Sequence, residues 1–251
     1  MRKPVIAGNW KMHNTISEAL DLVRAVKSQV ESVTDVEIIV APVYTALASV
    51  AAELKGSNIN VSSQNIFWEE KGAFTGEIAP NMITDAGCTH SIIGHSERRQ
   101  YFGETDETVN KRVKAAFAAG LIPILCVGET LEERDAGNTI AVVEAQIKGG
   151  LADISAEDMA KIIVAYEPVW AIGTGKTATP DMAEDVHKQI RSIVSEISDA
   201  AIADGTRILY GGSVKPENVD ELMAQPDIDG VLVGGAALKA DSFVRLVKFN
   251  G

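Results

Sequence analysis

Residues 162–166 read IIVAY, a short run that is apolar at every position and rich in β-branched side chains. Such a run is typical of a strand in a parallel sheet, because both faces of that sheet are covered. Short β-branched runs recur at residues 5–9, 36–41, 59–63, 91–94, 122–127, 207–210 and 230–233. Amphipathic stretches with helical spacing lie between them, as around Val186, Ile190 and Ile197. We therefore predict eight parallel strands alternating with helices.

Several helix starts are visible between the runs. Residues 15–18 (TISE) and 130–133 (TLEE) have the form of capping boxes, and Pro180 and Pro216 fit first helical positions. No linker or low-complexity tract divides the chain, which predicts one domain over residues 1–251. Strand–helix alternation alone is also compatible with an open doubly wound sheet. The motifs at the strand ends favour a (β/α)8 barrel, as described below.

Composition limits the function classes. The net charge of −12 disfavours a nucleic-acid partner, although it does not prevent a local pocket from binding a small anion. The apolar runs are shorter than a membrane span, and no secretory signal opens the chain. Two cysteines, Cys88 and Cys126, provide neither a disulfide framework nor the spacing of metal ligands. We expect a cytoplasmic protein without a metal, a membrane or a nucleic-acid partner.

Polar residues follow three of the predicted strands, where a barrel carries its chemistry. Lys11 follows residues 5–9, His95 follows residues 91–94, and Glu167 follows residues 162–166. A buried carboxylate is costly unless it is paired or functional. The residues after His95 suit a short helix, whose positive N-terminus would disfavour the imidazolium form. A neutral imidazole can still donate a hydrogen bond to a carbonyl oxygen.

Glycine-bearing loops follow the last three strands. Residues 171–178 (AIGTGKTA) lie between a stiff Pro-Val-Trp segment and small residues, which is typical of a lid. Their GTGKT portion imitates nucleotide-binding loops, but it lies too far from the strand and lacks the first P-loop glycine. Glycine pairs at 211–212 and 234–235 follow the seventh and eighth strands, where barrels commonly bind phosphate through main-chain N–H groups.

Five spaced segments carry a family resemblance: residues 8–12 (GNWKM), 94–99 (GHSERR), 165–175 (AYEPVWAIGTG), 210–214 (YGGSV) and 234–236 (GGA). With these, the chain resembles the triosephosphate isomerase family over essentially its whole length. The resemblance implies interconversion of dihydroxyacetone phosphate and D-glyceraldehyde 3-phosphate through an enediolate, in glycolysis and gluconeogenesis, without a cofactor. It implies Glu167 as base and His95 as electrophile, with Lys11, Asn9 and Glu97 assisting. The implied phosphate-binding residues are Gly173, Ser213, Gly234 and Gly235.

The resemblance also implies a homodimer. Residues 64–77 form a long insertion with much apolar surface. In the family this loop enters the partner beside its active site, with the residue matching Thr75 at the tip.

One departure from the family pattern is Ala237, where the family usually has serine. We hypothesise that Ala237 increases lid mobility, the alternative being that it packs in an apolar site. Another phosphate-binding barrel enzyme, such as an indole-forming synthase, and a non-catalytic sugar-phosphate-binding barrel remain the rival interpretations.

Overall fold

Eight parallel strands close into a barrel in the computed structural model, which describes residues 2–172 and 178–250. The strands are β1 (Val5–Asn9), β2 (Glu37–Ala41), β3 (Ile59–Ser63), β4 (His90–Ile93), β5 (Ile122–Val127), β6 (Ile163–Tyr166), β7 (Arg207–Tyr210) and β8 (Gly230–Val233). Pairing of β1 with β8, with Val5 opposite Gly230, closes the ring. This closure confirms the (β/α)8 barrel and excludes the open sheet.

Helices surround the barrel. They are α1 (Ile16–Val30), α2 (Leu47–Leu54), α3 (Pro80–Asp85), α4 (Ser96–Phe102), α5 (Asp106–Ala118), α6 (Leu131–Asp135), α7 (Thr139–Gly150), α8 (Ala156–Met159), α9 (Pro180–Ile197), α10 (Ala200–Gly205), α11 (Val219–Met223) and α12 (Ala240–Val247). Short 3₁₀ turns occupy Tyr44–Ala46, Val169–Ala171 and Gly235–Leu238. Within the described ranges, no helix combines the length and apolar character needed to cross a membrane.

The helix starts follow the local sequence signals, with one exception. Thr15 and Thr130 form the predicted capping boxes, and Pro180 occupies the first turn of α9 behind the cap Thr179. Pro216 is not at a helix start, since α11 begins at Val219. The Asn218 side chain accepts from the Lys215 N–H and donates to the Ser213 carbonyl, which stabilises a turn there instead.

Two apolar layers account for strands that are apolar at nearly every position. Alternate strand residues such as Val5, Ala7, Ile39 and Ile124 form one buried cluster composed of strand side chains. The intervening residues, such as Ile6, pack with the helices in a second and larger cluster. Strand side chains alternate between faces, so both the barrel interior and the helix layer require apolar residues. The carboxyl ends of the strands then converge on one face of this rigid scaffold.

Candidate active site

Glu167 and His95 meet where β6 and β4 end. The Glu167 Oε1 atom lies 2.8 Å from His95 Nε2, and its Oε2 atom accepts from the Ser96 N–H at 2.9 Å. Both side chains are buried, with Glu167 only 2% exposed. Gly211 lies against the glutamate, because a β-carbon at that position would come within 2.8 Å of Glu167 Cγ. The carboxylate is therefore held by hydrogen bonds on one side and close packing on another.

His95 caps the short helix that the sequence predicted. It follows Gly94, whose φ of +73° lies in the left-handed region, and its Nδ1 accepts from the Glu97 N–H at 3.2 Å. An Nδ1 atom that accepts this bond carries no proton, so the ring proton lies on Nε2 and points at Glu167. A ring with its single proton on Nε2 is a neutral imidazole, the form that the sequence predicted for His95.

Burial and pairing act in opposite directions on this pair. Burial disfavours the charged form of each group, but their proximity raises the pKa of His95 and lowers the pKa of Glu167. The Ser96 N–H and Lys11 add to the lowering at Glu167, which is therefore ionised at rest. At His95 the raised pKa favours protonation, whereas the Glu97 N–H opposes it. The hydrogen bond from the Glu97 N–H determines that the ring is neutral, because in an imidazolium the Nδ1–H would face this N–H donor.

Lys11 supplies the cation beside the pair. Its Nζ lies 2.6 Å from Glu97 Oε1, so that Glu97 orients the ammonium. The Lys11 backbone has a φ of +51°, and its N–H donates to Asn9 Oδ1 at 3.0 Å. Gln64 donates to the Lys11 carbonyl at 2.8 Å, a contact that sequence reasoning missed. The side chains of Asn9, at the end of β1, and Gln64, just after β3, thus hold this strained backbone in place.

The glycine pairs border the same cavity, which has a volume of about 520 Å³. Its lining includes the predicted residues Asn9, Lys11, His95, Glu167, Ser213, Gly234 and Gly235. A β-carbon on Gly234 would lie 3.3 Å from Lys11 Cε, which places the lysine stem directly beside this glycine. The predicted phosphate-binding residue Gly173, and with it most of the predicted lid, lies outside the described residues.

Glu129 is a further buried group that the sequence analysis did not identify. It is fully buried and accepts from Tyr166 Oη at 3.1 Å, Trp170 Nε1 at 2.9 Å and Arg134 Nη1 at 3.1 Å. These contacts fasten the segment after Glu167 to the loop after β5. The signal that identified Glu167, a carboxylate just past an apolar strand, was also present at Glu129.

No metal centre is evident in the part of the chain that the structure describes, where His, Cys, Asp and Glu do not form a group of three suited to a metal ion. Cys126 lies on β5, fully buried, and burial raises the pKa of its thiol. This thiol is therefore a packing group rather than a nucleophile. The chemistry available to the site is proton transfer combined with anion binding.

Comparison with known proteins agrees with this geometry. A family model described as triosephosphate isomerase matches residues 4–250. The triosephosphate isomerases of Geotalea uraniireducens (strain Rf4) and Geobacter metallireducens (strain ATCC 53774 / DSM 7210 / GS-15) are each 59% identical over 250 residues, covering 100% of both chains. The crystal structure of triosephosphate isomerase from Bartonella henselae matches with a TM-score of 0.89 at 39% identity, covering 97% of each chain. These similarities confirm the predicted isomerase, and the chain belongs to the triosephosphate isomerase family.

Proposed function

We propose that this chain interconverts dihydroxyacetone phosphate and D-glyceraldehyde 3-phosphate, in glycolysis and gluconeogenesis, with Glu167 as the base. The observation that carries the proposal is the buried Glu167–His95 pair beside a cavity bordered by two glycine pairs. Moving a carbonyl by one carbon requires a base that removes a proton from one carbon and returns it to the next. An ionised glutamate performs the first half, and its conjugate acid performs the second.

His95 acts on the oxygens of the substrate. When substrate enters, the substrate carbonyl oxygen replaces Glu167 as the acceptor of the Nε2–H hydrogen bond. This oxygen gains negative charge as the enediolate forms. This exchange removes the strongest pairing contact that lowers the pKa of Glu167, while burial, which raises it, remains. The base therefore becomes stronger as substrate binds. The Glu97 N–H at Nδ1 keeps the ring neutral throughout.

Lys11 and Asn9 stabilise the developing charge. The ammonium of Lys11 is oriented by Glu97 and faces the cavity, where water exclusion strengthens its interaction with an oxyanion. Asn9 is 5% exposed at the end of β1 and adds a further amide donor. The phosphate is bound by main-chain N–H groups of Ser213, Gly234 and Gly235, joined by Gly173 of the lid. This assignment is supported by glycines that leave main-chain groups accessible at the cavity wall.

The molecule acts as a homodimer of single-domain (β/α)8 barrels. Phe74 and Thr75 are exposed at the tip of the loop 64–77, and Phe102 and Met12 are 67% and 92% exposed. Met12 and Phe102 border a cavity of about 190 Å³ that also includes Lys11 and His95. A partner's Thr75 loop inserted there would cover this apolar surface and restrain both catalytic groups.

We also assign the protein to the cytoplasm, which the unpaired thiols of Cys88 and Cys126 support.

A coupled assay that follows each triose phosphate separately tests the activity. Conversion in both directions, undiminished by a metal chelator, is the expected result. Binding of dihydroxyacetone phosphate without turnover would instead favour a non-catalytic sugar-phosphate-binding barrel. Absence of both binding and turnover would favour a phosphate-binding barrel with another substrate.

A further inference from the structure

The side chain of Gln146, on α7, binds both main-chain polar groups of one residue, Gly128, just past the end of β5. Its Oε1 accepts from the Gly128 N–H at 2.7 Å, and its Nε2 donates to the Gly128 carbonyl at 3.2 Å. A carboxamide has the same donor and acceptor as a peptide group. Gln146 therefore acts as one residue of a neighbouring strand at the point where β5 ends.

Gly128 is in direct contact with the backbone of Glu167. A β-carbon on Gly128 would lie 1.8 Å from the Glu167 carbonyl oxygen, so only glycine allows this approach. On either side, the Glu167 N–H donates to the Val127 carbonyl at 2.7 Å and the Val169 N–H donates to the Glu129 carbonyl at 3.1 Å. The main chain of the base is thus laid against the segment that Gln146 holds.

We propose that Gln146 is a positioning residue for the base: by holding the main-chain N–H and carbonyl of Gly128, it fixes the backbone from which Glu167 projects. The proposal rests on the isomerase function proposed above. It requires no contact between Gln146 and substrate. Gln146 and Glu167 border a common cavity of about 470 Å³ on the side of the base away from the glycine pairs, and the other charged groups there are Arg99 and Glu133.

Two variants of Gln146 separate positioning from simple stability. Gln146→Met keeps the length of the side chain but removes both hydrogen bonds, and we expect a kcat about 10- to 100-fold lower, as for a displacement of about 1 Å. KM should change less than about threefold, because the phosphate-binding residues are untouched. The measurements are steady-state kinetics with each triose phosphate, together with Tm.

Gln146→Glu adds a second measurement, the pH dependence of kcat, which should not change if Gln146 only stabilises the fold. Its carboxylate can accept from the Gly128 N–H but repels the Gly128 carbonyl, whereas the protonated acid reproduces both hydrogen bonds. The ratio of variant to wild-type kcat should therefore rise several-fold as pH falls from about 8 to about 5.5. Dividing by the wild-type value removes the pH dependence that both enzymes share, including any that arises at Glu167.

Gln29 supplies the matched control. It is an exposed glutamine on α1 whose Nε2 donates to the Ala25 carbonyl of its own helix, and Gln29→Met and Gln29→Glu should leave kcat unchanged at every pH. A Gln146→Met enzyme with kcat within twofold of wild type overturns the proposal. A Gln146→Glu ratio that does not vary with pH also overturns it. An inactive wild-type chain would refute the proposed function itself, which distinguishes the two failures.

Discussion

His187 gives a stability prediction whose size follows from the structure. This histidine of α9 is fully buried, lies edge-on to Tyr166 with a centroid distance of 5.8 Å, and its Nδ1 lies 3.2 Å from the Asp227 carbonyl oxygen. Burial lowers its pKa from the ordinary 6.5 to about 3. The folded chain therefore keeps His187 neutral at pH 5, whereas the unfolded chain binds a proton there. Stability must fall as pH decreases below 6.5.

The linkage relation gives the magnitude. Each pH unit between these two pKa values costs about 1.4 kcal/mol, so lowering the pH from 7 to 5 removes about 2 kcal/mol. For a domain of this size that loss corresponds to roughly 4–8 °C in Tm. The control is His187→Phe, which keeps an aromatic ring beside Tyr166 but cannot titrate.

Thermal melts of both proteins at pH 7 and pH 5 provide the test. The two proteins share every titratable group except His187, so the contributions of the shared groups cancel in the comparison. The wild type should lose roughly 4–8 °C more than His187→Phe between the two pH values. An equal loss in the two proteins would refute the argument, because it would mean that His187 takes up a proton in the folded state as readily as in the unfolded one.

Two further substitutions test the loop and the departure at residue 237. Replacing Phe74 with aspartate and Thr75 with arginine should give monomers with activity reduced about 100-fold, since a displacement of about 1 Å at Lys11 and His95 is enough for that loss. An intact dimer in sedimentation, or a fully active monomer, would argue against the proposed interface. Ala237→Ser should lower Tm by roughly 2–12 °C, because Ala237 is 1% exposed in the apolar core and a buried hydroxyl costs about 1–3 kcal/mol. A higher Tm for that variant would restore the hypothesis that Ala237 exchanges rigidity for mobility.

The strands were predictable to within one residue, because burial on both faces leaves a strong apolar signal. The clearest shift is at β4, which begins at His90 rather than at residue 91. His90 is polar, but it is buried, with its Nε2 3.1 Å from Oε1 of Glu37 on β2, the second strand along the barrel from β4. The periodicity of the sequence cannot predict a contact between residues on two different strands.

The site was predictable where chemistry lies at strand ends, and less so where a distant element supports it. His95, Glu167 and Lys11 stand directly after apolar strands, which singles them out. Gln146 has no such signal, because a glutamine on an amphipathic helix is ordinarily solvated. Only the folded chain shows that its amide lies against Gly128, 18 residues away.

The central claim is that Glu167 is the base of a triose phosphate isomerisation, and turnover by Glu167→Gln tests it most directly. The amide keeps the shape of the side chain but cannot accept a proton, while the groups assigned to phosphate binding are unchanged. We predict that kcat falls by at least about 10²–10⁴-fold. Binding of a phosphate-bearing enediolate analogue should persist and still raise Tm. A purified Glu167→Gln enzyme with near-normal kcat would contradict the account.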